Sequence, residues 1–178
     1  PVTVQRLCGI CPVSHHLAAA KAMDVIAGYG PLTPTAEKLR RLLHYGQIVQ
    51  SHALHFFHLS SPDLLFGFES EAAKRNIVGV AAAFPDLARQ GVMTRKFGQE
   101  VIRHVAGKRI HGTGAIPGGI NRNLPIERRD AFLNQINDME QWSLDALALA
   151  RDYTLEHAEL IRSFASFPSN HMSLVRAG

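Results

Sequence analysis

The feature that most constrains this chain is the run Arg6–His16 near its amino terminus. The run carries both cysteines of the chain, Cys8 and Cys11, in a C-x-x-C spacing that includes Gly9. Glycine permits the backbone angles of a tight turn, and Pro12 fixes the direction in which the chain leaves it. Because the thiolate is the form of cysteine that binds metal or attacks disulfides, the run predicts thiol chemistry.

Several interpretations of the cysteine pair stay open at this level. A thioredoxin-like redox pair requires a strand–helix alternation that the sequence lacks, and a structural zinc site requires two further ligands. A disulfide across so short a loop would be strained and would close little chain. The remaining interpretations are two buried, inert cysteines, or half of a thiolate-rich site for a soft transition metal. Arg6 offers a positive charge that would stabilise a thiolate beside it.

Apolar residues recur at helical spacing along most of the chain, so the sequence predicts a mainly α protein of long packed helices with loops and little strand. Start and stop signals predict helices over about 14–27, 33–59, 70–83, 85–106 and 125–164, the last of them as one helix or two. Ser14 is the predicted N-cap of the first helix. Ser61–Asp63 is expected to break the second, and Gly107 to cap the fourth.

The longer pattern R-x-C-G-x-C-x-x-x-H is formed by Arg6, Cys8, Gly9, Cys11 and His15. It resembles the amino-terminal metal-binding signature of the nickel–iron hydrogenase large subunit. The residues that continue into the first predicted helix look most like the soluble, cytoplasmic, NAD-reducing branch of that family. Five residue types at fixed spacing, with the expected helix behind them, make this signature specific.

The resemblance implies a role for most residues of the pattern. Cys8 is then a terminal nickel ligand, and Cys11 is a thiolate that bridges nickel and iron. Arg6 and His15 surround these ligands, and His15 hydrogen-bonds toward a bridging sulfur and orients it. His16 inherits no such role and is expected to be solvated or to cap the helix.

The resemblance also implies an activity and its partners. The expected reaction is the reversible oxidation of dihydrogen, split heterolytically at a nickel–iron centre whose iron carries small diatomic ligands. Electrons are expected to pass to iron–sulfur clusters in a small-subunit partner, and then to NAD through a flavoprotein module in the cytoplasm.

Large subunits of this family are far longer and complete the site with a second cysteine pair. Residues 1–178 are therefore expected to form a single partial domain of such a subunit, with apolar helix faces left exposed in this chain by itself. Alternatives remain: NADP or coenzyme F420 as the acceptor, a degenerate respiratory-complex relative, or a helical redox or interaction module that uses the pair as a reversible disulfide.

Other features of the sequence favour no additional function. The net charge is +4, and the basic residues are spread among acidic ones, which favours solvated helix faces or a subunit interface over a nucleic-acid site. No apolar run approaches the roughly 20 residues that span a bilayer. His52, His55 and His58 share a predicted helix face, where packed or hydrogen-bonded histidines are favoured over a metal site.

The glycine-rich stretch 111–121 lacks the third glycine and the preceding strand of a dinucleotide site. It predicts a tight turn, and it resembles the glycine–proline loop that packs near the metal centre of the hydrogenases.

Overall fold

The computed structural model describes residues 2–175, which are mainly helical, as predicted. The elements in chain order are a 3-10 turn (Val4–Leu7), α1 (Pro12–Ile26), α2 (Pro34–Ala53), a π-helical segment (Leu54–Ser60), α3 (Ser61–Phe66), α4 (Ile77–Ala83), α5 (Pro85–Ala106), β1 (Ala115–Ile116), β2 (Gly119–Ile120), α6 (Ile126–Glu156) and α7 (Ala158–Ser163). No helix in the described range is long and apolar enough to cross a membrane.

The chain divides into two compact units, Pro1–Ser143 and Leu144–Gly178. The first unit contains the cysteine turn and the main apolar clusters. In the second unit the rings of Tyr153 and His157 lie 4.3 Å apart, centroid to centroid, and Phe164 is 78% exposed.

Two of the predicted helix ends are confirmed by their capping groups. Thr33 precedes α2, and its hydroxyl accepts a hydrogen bond from the Ala36 amide at 3.3 Å. Gly107 follows α5 with a φ of 88°, a left-handed conformation that glycine adopts without a steric cost. Both signals are local, so the sequence alone locates them.

The predicted start of the first helix is wrong. α1 begins at Pro12, with Cys11 as its N-cap, and Ser14 lies inside the first turn. Proline suits the first helical position because its φ is already helical and its missing N–H would have no partner there. The helix therefore begins closer to the thiols than the serine indicates.

The break expected at Ser61–Asp63 is also wrong. After α2 the chain continues through the π-helical segment and enters α3 at Ser61, with Pro62 in the first turn. The helix predicted from residue 70 begins only at Ile77. Residues before it form turns, and the Asn76 side chain caps α4 by accepting from the amides of the second and third helical residues.

The three histidines near the end of α2 form separate hydrogen bonds. Nδ1 of His52 donates to the Ile48 carbonyl at 2.9 Å, and Nδ1 of His58 lies 3.4 Å from the Ala53 carbonyl. Nδ1 of His55 pairs with the Ser60 hydroxyl at 3.3 Å. The interpretation as hydrogen-bonded histidines is confirmed.

The glycine-rich stretch forms a small antiparallel hairpin, in which Ala115 lies opposite Ile120 and Ile116 opposite Gly119. Gly118 at the turn has a φ of 81°, which a side chain would disfavour. Helix α5, and not a strand, precedes this stretch. The structure therefore confirms the tight turn.

Helices α2 and α5 pack closely around the main core, which contains Val13, Leu39, Leu43, Ile102, Val105 and Ala106. They meet at Gly46 and Gly98. A Cβ added at Gly98 would lie 2.6 Å from the Gly46 carbonyl oxygen, and one added at Gly46 would lie 2.9 Å from a Val101 methyl. The crossing therefore depends on the absence of side chains at both positions.

Gly98→Ala should lower the free energy of unfolding by about 1–3 kcal/mol, because the helices must move apart to admit the methyl group. The matched control is Gly30→Ala, since a Cβ at Gly30 meets nothing within 4 Å and Gly30 has no positive φ. Denaturant midpoints of the two variants provide the comparison. Equal midpoints would contradict the close crossing.

Candidate metal centre

The turn between the 3-10 element and α1 places both thiols at the amino end of a helix. Cys8 is extended, with φ −144° and ψ 132°, and the chain then turns so that Cys11 caps α1. The Cys11 amide donates to the Cys8 sulfur at 3.2 Å. Both cysteines are free and half-buried, which argues against the interpretation of the pair as two buried, inert cysteines.

His15 completes a group of three metal-binding side chains. One ring nitrogen of His15 and the two cysteine sulfurs all lie within 4.8 Å of one another. His15 follows Cys11 by four residues, a spacing that places both on one face at the start of α1. Among residues 2–175, these three are the only group of His, Cys, Asp or Glu side chains positioned to hold a metal ion.

The two thiols are electrostatically different. A hydrogen bond from the Cys11 side chain, followed by backbone amides of the turn, lowers the pKa of Cys8 below its ordinary value of 9.0. The same thiol–thiol contact, together with burial, raises the pKa of Cys11. Cys8 is therefore the first of the two to become a thiolate, and Cys11 holds the shared proton.

Arg6 and His16 lie in surroundings that the sequence did not reveal. Arg6 is exposed at the end of the 3-10 turn, and hydrogen bonds within the turn are the leading causes of the low pKa of Cys8. His16 was expected to be solvated or to cap the helix, which is wrong: it is only 2% exposed. Burial lowers the pKa of its imidazole, so the ring is neutral at pH 7.

The donor set fits a soft transition metal. Two thiolates and an imidazole suit nickel or iron, whereas a tetrahedral structural zinc site needs a fourth protein ligand. The half-buried turn leaves the sulfurs accessible to groups from outside this chain. The nickel–iron centre that the sequence implies is thus compatible with Cys8 and Cys11 as two of its thiolates.

An ion pair between a buried arginine and a half-buried aspartate ties the hairpin to the helix that carries the site. Arg40 on α2 is 5% exposed, and its Nη1 donates to Oδ2 of Asp24 on α1 at 2.6 Å. Arg40 also donates to the carbonyls of Gly119 at 3.0 Å and Ile116 at 2.8 Å, and the Gly118 amide donates to Asp24 at 2.6 Å. The hydrogen bond from Arg40 lowers the pKa of the Asp24 carboxyl. Sequence analysis missed this network because nothing local links its members.

Comparison with known proteins identifies the family. Residues 1–76 match the nickel-dependent hydrogenase family. The chain is 46% identical to the NAD-reducing hydrogenase HoxS subunit beta of Cupriavidus necator, over 98% of this chain and 38% of that protein. It is 39% identical to a subunit of the F420-non-reducing hydrogenase vhu of Methanococcus voltae, over 100% of this chain and 42% of that protein.

Solved structures agree with this assignment. The crystal structure of an NAD+-reducing [NiFe]-hydrogenase in the H2-reduced state superposes with a TM-score of 0.90 and 57% identity, over 94% of this chain and 37% of that one. The Ni-Fe-Se hydrogenase of D. vulgaris Hildenborough shares the fold, with a TM-score of 0.71 and 21% identity over 88% of this chain and 34% of that one.

The chain thus spans about two fifths of the length of the curated relatives it matches. These similarities confirm the resemblance on which the site residues were chosen, including the likeness to the NAD-reducing branch. The chain belongs to the nickel–iron hydrogenase large-subunit family.

Proposed function

We propose that this chain provides the amino-terminal half of the thiolate site in the catalytic subunit of a nickel–iron hydrogenase that couples reversible dihydrogen oxidation to NAD(P)+ reduction. The observation that carries the proposal is the convergence of Cys8, Cys11 and His15 within 4.8 Å at the start of α1. Similarity to an NAD-reducing hydrogenase along nearly the whole chain supports the choice of acceptor.

Each residue then has a distinct part in the site. Cys8, the more acidic thiol, would be held by nickel alone, and Cys11 would be the thiolate that nickel and iron share, as the family resemblance implies; the lower pKa of Cys8 favours its thiolate form. His15 lies one turn along α1, where its imidazole orients a bridging sulfur. Arg6 contributes positive charge from the rim of the turn. When bound, the nickel–iron centre, whose iron carries diatomic ligands, supplies the heterolytic cleavage of dihydrogen.

The remaining ligands and the electron path belong to other parts of the assembly. In the proposal, a second cysteine pair completes the centre, and residues 1–178 form one partial domain of the large subunit. Iron–sulfur clusters lie in a small subunit, flavin lies in a flavoprotein module, and the assembly works in the cytoplasm. Exposed apolar side chains such as Leu7 at 77% and Val25 at 81% support the presence of covering protein.

The test uses the full-length subunit purified together with its native partners. Nickel and iron are counted per subunit, and the hydrogen-dependent reduction of NAD+, NADP+ and F420 is followed spectrophotometrically. We expect one nickel per subunit, with the fastest reduction for NAD+. A metal-free protein whose dithiol titrates reversibly would instead support the redox-module alternative.

A further inference from the structure

The side chain of Gln50 reaches the cysteine turn from a distant part of the chain. Gln50 lies near the end of α2 and is 6% exposed. Its Nε2 donates to the Ile10 carbonyl oxygen at 2.6 Å, a contact between residues 40 positions apart. Ile10 lies between the two cysteines, so this bond anchors the turn itself to the helical core.

The bonded carbonyl belongs to the same peptide group as the Cys11 amide. That amide donates to the Cys8 sulfur at 3.2 Å. The contacts therefore form a continuous path from the Gln50 amide through the Ile10–Cys11 peptide to the sulfur. A hydrogen bond at the carbonyl of a peptide polarises it and strengthens the bond that its N–H makes.

Gln50 is itself held in place by the helix crossing. A Cβ added at Gly98 of α5 would lie 2.7 Å from the Gln50 backbone nitrogen and 2.9 Å from the Gln50 Cβ. The close approach of α5 leaves the glutamine stem little room to move. Two packed helices, and not a flexible loop, therefore fix the position of its amide group beside the turn.

We infer that Gln50 is a positioning residue that orients the Cys11 amide toward the Cys8 sulfur and so tunes the metal bound there. The inference rests on the proposed function. An N–H donor withdraws electron density from a metal-bound thiolate and raises the reduction potential of the site. Loss of Gln50 therefore lowers the midpoint potential of the bound nickel and loosens the turn.

The test compares three variants of the full-length protein in its native complex. Gln50→Leu removes the amide, and Gln50→Met removes it while keeping a long unbranched side chain without an N–H donor. Gln47→Leu is the matched control, because Gln47 lies one turn earlier on α2 and is 3% exposed. The readouts are nickel content, the midpoint potential of the nickel signal in electron paramagnetic resonance, and turnover.

Both Gln50 variants should shift the midpoint potential to more negative values and reduce turnover about 10- to 100-fold, the usual range for a group that orients a metal ligand. Gln47→Leu should leave the potential at its unmodified value. If Gln50→Leu fails to fold, Gln50→Met, which keeps a side chain of similar length, still decides the question.

Two results would overturn the inference. One is an unmodified midpoint potential in the folded Gln50 variants. The other is an equal shift in Gln47→Leu, which would indicate a general packing effect. Absence of nickel and hydrogen oxidation from the unmodified protein is a separate outcome that would overturn the proposed function itself, so the two failures are distinguishable.

Discussion

Replacing either Cys8 or Cys11 by serine in the full-length subunit should abolish nickel binding and reduce hydrogen-dependent turnover by about a thousandfold or more, equivalent to about 4 kcal/mol of barrier. A serine hydroxyl stays protonated at neutral pH and offers a hard oxygen, whereas the site requires two soft thiolates. The two sulfurs lie within 4.8 Å of one another, so each replacement removes one of the two thiolates that this chain contributes to the site.

The measurement combines nickel and iron counts with hydrogen-driven reduction of a viologen dye, which does not depend on the flavoprotein module. Ser14→Ala is the control, because Ser14 lies in the same first turn of α1 and is half-buried. His15→Gln should reduce turnover by about 10- to 100-fold, which is less than the cysteine variants and more than Ser14→Ala. Retention of nickel and turnover by Cys8→Ser would place the active thiolates elsewhere.

Local signals in the sequence predicted much of the fold. Thr33 and Gly107 are confirmed as helix boundaries because a cap depends on a few adjacent residues and on the backbone angles they permit. The thiols were predicted to precede a helix, and they do. The errors at Ser14 and Pro62 share one cause: proline is a helix breaker in the interior of a helix but a good residue in its first turn.

The contacts that fix the site in space are long-range, and the sequence does not reveal them. Gln50 bonds to Ile10 across 40 positions, and Arg40 bonds to the carbonyls of the hairpin across 76 and 79. Each donor lies on an amphipathic helix where a polar residue ordinarily faces solvent. Which polar residues turn inward depends on how α1, α2 and the hairpin pack, which no single segment specifies.

Arg40→Met should lower the free energy of unfolding by about 1.5–3 kcal/mol, because it leaves the half-buried Asp24 carboxylate without its cation. The same change removes the donors for the Ile116 and Gly119 carbonyls. Adding Asp24→Asn should recover part of this loss, since the unpaired charge is then gone. Denaturant midpoints of the single and double variants measure the coupling between the two residues.

Arg41→Met is the matched control for the ion pair. Arg41 is adjacent to Arg40 and pairs with Glu37 at 2.8 Å, but its side chain is 66% exposed and that of Glu37 48%. An exposed pair of this kind contributes at most about 1 kcal/mol. Similar midpoints for Arg40→Met and Arg41→Met would contradict a stabilising role for the Arg40–Asp24 pair.

The pH dependence of the pair has a definite sign. The pKa of Asp24 is held below its ordinary value of 3.8, so the stabilisation is complete above that value and is lost as the pH falls through the lower pKa of the folded state. In Arg40→Met the same carboxyl loses the hydrogen bond that lowers its pKa most, so it takes up a proton and loses its charge at a higher pH than in the unmodified protein. The difference in stability between the unmodified protein and Arg40→Met should therefore narrow as the pH falls below about 4. A stability difference that stays constant below about pH 4 would show that the lost carbonyl hydrogen bonds, and not the unpaired carboxylate, account for the cost of removing Arg40.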